Sequence, residues 1–198
     1  MDFTREQYLA AVGGQLEPNI VNHCLALEAC MGGIYDYLQA QGQLSEKEPP
    51  KDEWMLAGLL HDIDFAGDLK SEHPAKTREA LAKYGVEIPD SVDHIIKAHD
   101  SRLNLVERTT KADWAIFCAD SLTGLITAVA FVYPSRKLAD VKLSSIVKRF
   151  LKDPRFAAGT RRDEVARCAE AETLNIPLEK FIEICFVSMQ NIASEIGL

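Results

Sequence analysis

The chain has 198 residues, 47% of them hydrophobic, enough for one sizeable core and short for two independent domains. Its formal net charge of −8 argues against non-specific nucleic-acid binding and against attraction to anionic lipid, since both need a basic surface. The five cysteines (Cys24, Cys30, Cys118, Cys168 and Cys185) are scattered, with no CxxC pair, which suits small buried hydrophobes in a reducing compartment better than a disulfide framework.

Helical signals then follow one another along the chain. The N-terminal MDFTREQYLA is charged and lacks the apolar core of a signal peptide, so a cytoplasmic location is expected. Thr4 and Gln7 have capping-box spacing ahead of a first short helix that Gly13 and Gly14 are expected to end. Pro18 opens a longer helix in which Cys24, Leu27, Met31, Ile34 and Leu38 recur at three- and four-residue steps, closing near Gly42. LSEKEPPKD is polar and proline-bearing, hence a loop, and Asp52 is the expected cap of the helix carrying Trp54 to His61. A further helix is expected from Pro74 to Gly85, and another in IPDSVDHIIKAHD with Asp90 as cap. A long apolar helix covers about Lys111 to Val132 and is ended by Pro134. KLADVKLSSIVKRFL, TRRDEVARCAEAETLN and LEKFIEICFVSMQNIASEIG read as three more. No segment alternates polar and apolar as a strand would, so the expected class is all-α.

Trp114 to Tyr133 is long enough to span a bilayer. It carries Asp120, Ser121, Thr123, Gly124 and Thr127 and has no basic cluster on one flank; a charge near the centre of a span costs about 2.5 to 3.5 kcal/mol. A buried core helix is the better reading, and no membrane partner is expected.

Two stretches carry charge where an interior is expected. LLHDIDFAGD follows Trp54 to Gly58 and ends in His61, Asp62, Asp64 and Asp68. A buried carboxylate without a partner costs several kcal/mol, so such groups find a cation, take up a proton or hold a metal. Asp120 is the only charged side chain between Trp114 and Ser135, and no Lys or Arg lies within one or two helical turns of it. Its cation must be a metal or come from elsewhere in the fold; neutralisation by a lysine or arginine would remove the case for a metal. His23 sits four residues before Leu27 on the apolar side of its helix, where a histidine taken singly is more often a hydrogen-bonded core residue than a ligand.

Taken together, His23, His61-Asp62 and Asp120 on three successive long helices resemble the H…HD…D signature of the HD-domain superfamily of metal-dependent phosphohydrolases. HDID is similar to its HDIG variant, with Asp64 where glycine often stands. The resemblance covers about residues 18–132, the HD core of a single domain over 1–198; about 137–198 would be a C-terminal helical extension. Imidazole and carboxylate donors suit Fe, Mn, Zn, Co or Ni, with Mg possible if more water completes the shell. Adjacent His61 and Asp62 diverge by about 100° on an ideal helix, so they share an ion only if the helix ends there, as Asp64, Gly67 and Asp68 suggest.

The resemblance further implies a six-ligand pattern in some relatives, with His73 and His99 completing a second site, so one ion or two is left open. The bland alternative is that both are surface or helix-end histidines. His99 is preferred to His94, which is five residues away and expected to be exposed. The implied reaction is hydrolysis of a phosphoester or phosphoanhydride in a small phosphorylated molecule such as a nucleotide, with Asp62 bridging two ions or orienting water. Asp64 is carried with Asp62 as a candidate catalytic group. Its simpler role is helix capping and solvent contact; holding a metal ligand in place is the live alternative. Arg102, then Lys76 and Lys97, are the candidate phosphate contacts, each equally readable as a solvated surface charge. Arg78 is a further candidate, and Arg161 and Arg162 lie where the chain can fold back over the site. Rival readings are a mixed-valent di-iron HD-type oxygenase, which needs all six ligands, and a non-catalytic metal-binding sensing module. A homo-oligomer is compatible with the sequence, which does not decide it.

Overall fold

The computed structural model describes residues 3–100, 102–103 and 105–198. Among these it is all-α, without a strand: α1 (Arg5–Gln15), α2 (Pro18–Ala40), α3 (Lys51–Leu60), α4 (Thr77–Ala82), α5 (Asp90–Ala98), α6 (Lys111–Val132), α7 (Leu143–Lys152), α8 (Arg162–Ala166) and α9 (Leu178–Asn191). Short 3-10 turns occupy Gly67–Glu72, Leu138–Asp140 and Arg167–Ala169.

The two long helices form the centre. Pro18 is at the start of α2, where its fixed φ and missing N–H cost nothing, and Cys24, Leu27, Met31, Ile34 and Leu38 are all buried along it. This stripe lets α2 pack against α3, α6 and α9, while α5 packs against α3 and α6. Helix α6 starts at a capping box, Thr110 with Asp113, and the Glu48 carboxylate accepts from the Lys111 and Ala112 amides at 2.9 and 3.3 Å. The polar loop before α3 therefore anchors the first turn of α6. By length and composition α6 could cross a membrane, but 67% of its apolar stretch is buried inside the protein, as in a core helix. The five cysteines are free and buried.

Several boundaries differ from expectation. Helix α1 runs through Gly13 and Gly14 to Gln15, because burial of Tyr8, Ala11 and Val12 outweighs the roughly 1 kcal/mol that each helical glycine costs. Pro50 precedes α3 as its cap residue, and Asp52 lies in the first turn, where a carboxylate still favours the positive end of the helix. Asp90 is likewise the first residue of α5 after Pro89. The helix expected from Pro74 is only the six residues Thr77–Ala82.

Candidate metal centre

Helix α3 stops at Leu60, and His61 is its C-cap; helix α5 stops at Ala98, and His99 is its C-cap. Each of these histidines turns Nδ1 to the carbonyl three residues back, His61 to Gly58 at 2.9 Å and His99 to Ile96. A carbonyl only accepts, so Nδ1 carries a proton in both, and Nε2 is the nitrogen left to bind an ion in the neutral ring. His23, on α2, has Nδ1 2.9 Å from the Thr123 hydroxyl, whose own proton goes to the Asp120 carbonyl at 2.8 Å. His23 Nδ1 therefore donates as well. His73 Nδ1 donates to Asp64 Oδ1 at 2.6 Å.

All four imidazoles are thus held from behind, with Nε2 turned inward. His23 Nε2 and His61 Nε2 lie 3.1 Å apart, and His73 Nε2 and His99 Nε2 lie 3.2 Å apart. Two ring nitrogens at such a distance need a proton or a cation between them. Two nitrogens each about 2.1 Å from one ion would stand roughly 3.0 to 3.4 Å apart at right-angled to tetrahedral geometry. The spacing is compatible with two ligands on a common ion, and equally with one shared proton.

Asp62 joins the two pairs. Its Oδ2 is 3.4 Å from His61 Nε2 and 3.7 Å from His23 Nε2, and its Oδ1 is 3.3 Å from His73 Nε2. Two groups of donors close enough for a metal result, His23, His61 and Asp62 on one side and Asp62, His73 and His99 on the other. These buried His and Asp side chains can hold a metal ion. Asp120 approaches the first group from α6, its Oδ1 lying 3.1 Å from His23 Nε2 and 3.7 Å from His61 Nε2.

The electrostatics follow from this packing. Burial opposes a charge on His61, but the adjoining Asp62 carboxylate outweighs it and raises the His61 pKa well above the usual value. Burial likewise works against an ionised Asp62, yet His61 and His23 hold its carboxyl well below the usual range. Asp120 is also depressed, the hydrogen bond and charge of His23 overcoming its desolvation. His99 moves the other way: burial, helped by the neighbouring His61, pulls it down to about 4.

Arg161 provides the cation from elsewhere in the fold. Its Nη2 is 2.7 Å from Asp120 Oδ2, and its Nε is bonded to Glu164 at 2.5 Å. The arginine takes one oxygen of Asp120 and shares its charge with Glu164, leaving Oδ1 turned to the histidines. Arg161 thus balances the charge of Asp120, which removes the argument for a metal from that carboxylate alone; because Oδ1 still faces His23 and His61, the case rests on the histidines and Asp62.

The remaining candidates fall in different places. Asp64 is fully buried, against the expectation of solvent contact, and its Oδ2 accepts from the Lys76 amide at 2.8 Å. With its other oxygen on His73 it touches no open space, so it positions a histidine rather than meeting a reacting group. Asp68 is exposed and does not share a helical face with it, because α3 has already ended. His94 pairs with Asp113 at 3.3 Å, outside the cluster. The Lys76 amine is engaged by Glu79 and Glu72 at 3.2 and 3.6 Å, and the Lys97 amine by Asp93 at 2.7 Å, the pairing of solvated helix-surface charges. Arg78 is committed to Asp90 and to the Ile88 carbonyl, and Arg162 to the carbonyls of Phe150, Asp153 and Phe156. Arg102 is held by Asp100, close enough to the centre to feel the charges of Arg161 and Asp62.

A scan against protein-family models, a search of curated proteins and a search of solved structures each return no match for this chain.

Proposed function

We propose that the protein is a metal-dependent phosphohydrolase of the HD type, holding one ion between His23, His61, Asp62 and Asp120 and a second between Asp62, His73 and His99. The observation that carries this reading is the inward convergence of four histidine Nε2 atoms around the carboxylate of Asp62. A donor set this rich in imidazole favours Fe, Mn, Zn, Co or Ni over Mg. A bound ion would activate water near neutral pH and polarise a phosphoryl oxygen.

The chain's own residues supply the rest. Asp62 orients both halves of the centre and accepts a proton or hydrogen bond on the side where it is partly open to solvent. Arg161 stands at Asp120 with its side chain 39% exposed; Asp120 and Glu164 engage its Nη2 and Nε, so a phosphate oxygen would meet the exposed outer edge of the guanidinium. Arg102 adds a second, more exposed cation. Because Asp120 and Glu164 balance Arg161 and Asp100 balances Arg102, the net positive charge that an anionic substrate would meet would come chiefly from the bound ions.

The test is elemental analysis of protein purified without chelator, followed by a screen of nucleotides and other phosphoesters with Mn, Fe, Mg, Zn, Co and Ni. Metal at up to two ions per chain and phosphate release are expected, with Asp62→Ala reducing release at least about a hundredfold because both ions lose a shared ligand. Undiminished turnover in Asp62→Ala, or protein that takes up no metal, would reject the reading.

A further inference from the structure

Helix α6 is buried along most of its length, yet Gly124 in its middle is exposed. Glycine inside a helix is less stable than alanine and as a rule has a packing reason. Gly58 has one: a Cβ there would stand 2.9 Å from the Glu28 backbone. At Gly124 a Cβ would meet nothing within 4 Å, and the backbone is ordinary helix. Gly13 is equally unobstructed, but it lines none of the cavities described below, whereas Gly124 lines two.

One cavity, of about 380 Å³, is lined by His23, Asp62, Asn22, Gly124, Thr127 and Phe131 among others. The other, of about 350 Å³, includes His23, Asp120, Gly124 and Arg161. His23 and Gly124 belong to both, so Gly124 lies where the metal-side and arginine-side spaces meet. At about 100° per residue, Asp120, Gly124, Thr127 and Phe131 form one stripe along α6, leading from the carboxylate past the gap to an exposed aromatic ring. Asn19 and Asn22, on the first two turns of α2, add amides to the same wall. A larger cavity of about 450 Å³, lined by Arg78, Leu81 and Val86, reaches none of the metal-centre residues.

We infer that Gly124 is a specificity-determining residue, kept small so that the organic body of the substrate can lie along α6 from Arg161 toward Phe131, and that the substrate class is an organic phosphate with an aromatic or similarly flat apolar group rather than an inorganic polyphosphate. This rests on the proposed phosphohydrolase reading for the phosphate end. The apolar end rests on the cavity and the glycine.

The experiment compares binding of phenylphosphonate and methylphosphonate, neither of which is hydrolysed, to manganese-loaded protein by calorimetry, with metal content measured on the same samples. Wild-type protein is expected to bind phenylphosphonate at least tenfold more tightly. In Gly124→Leu the ratio falls to within twofold of unity with manganese retained. Gly124→Ala should raise the melting temperature, since its methyl enters open space; a glycine required for packing would give a lower one. Equal binding of the two ligands by wild-type protein, or a preference that survives in Gly124→Leu, overturns the inference while leaving the metal centre standing. Protein that loads manganese but binds neither phosphonate overturns both this inference and the phosphohydrolase reading.

Discussion

Asp64 shows how much of the centre depends on a residue that does not face it. Two donors, His73 Nδ1–H and the Lys76 amide, converge on its two oxygens in a fully buried setting. Asparagine has one acceptor oxygen and would bring N–H groups against the second donor. Asp64→Asn is therefore expected to cost about 1 to 3 kcal/mol in denaturant unfolding. On the proposed two-ion reading it should also weaken metal binding between Asp62, His73 and His99 by about 10- to 100-fold, with binding between His23, His61, Asp62 and Asp120 nearly unchanged. A metal titration resolving two equivalents checks this; two ions bound with wild-type affinity would show that Asp64 does not orient His73. His61, Asp62 and Asp120 could be singled out from the sequence because each places charge in an apolar run. The hydrogen bonds that aim the rings could not, since those of Asp64, Thr123 and the α3 and α5 carbonyls depend on where helices end and cross.

At the scale of elements, the centre is assembled by two helices that stop at a histidine and by the close approach of α2 and α3. Gly58 permits that approach, for its Cβ would stand 2.9 Å from the Glu28 Cα and N and from the Leu27 carbonyl carbon. Gly58→Ala gains up to about 1 kcal/mol in helix propensity but must push backbone away, and overpacking of this kind costs about 1 to 3 kcal/mol. Net destabilisation is expected by thermal or denaturant unfolding, opposite in sign to Gly124→Ala, together with weaker metal binding by the His23 and His61 pair. A stabilised Gly58→Ala would show that the helices separate without penalty. The bounds of α6 were legible because an apolar run lies between a polar stretch and Pro134. The short turn of residues 67–72 and the brevity of α4 were not, because a proline near a helix start does not say how many turns follow it.

For the molecule as a whole, the chain beyond residue 137 is part of the same assembly: α9 packs on α2, and the segment before α8 brings Arg161 onto Asp120. No local pattern joins residues 41 positions apart, which is why Arg161 was only one of several arginines able to reach the site. The assembled charges make metal uptake pH-dependent, with a definite sign. His61, raised well above its usual pKa chiefly by Asp62 against the cost of burial, holds a proton at neutral pH in the metal-free protein. His99, pulled down to about 4, is already neutral and has none to give. An ion that takes His61 Nε2 must expel that proton, so the metal-free state binds more protons than the loaded state and rising pH favours loading. Calorimetric titration of zinc or manganese near pH 7, in two buffers of different ionisation enthalpy, should show net proton release, and the apparent affinity should rise from about pH 6 to about pH 8. Asp62→Asn removes the carboxylate that keeps His61 protonated, so proton release per ion bound should fall even though binding itself is weaker. An affinity flat across that range with no proton released would mean that His61 is neutral beside Asp62, and that the centre is poised for metal without the charge balance described above.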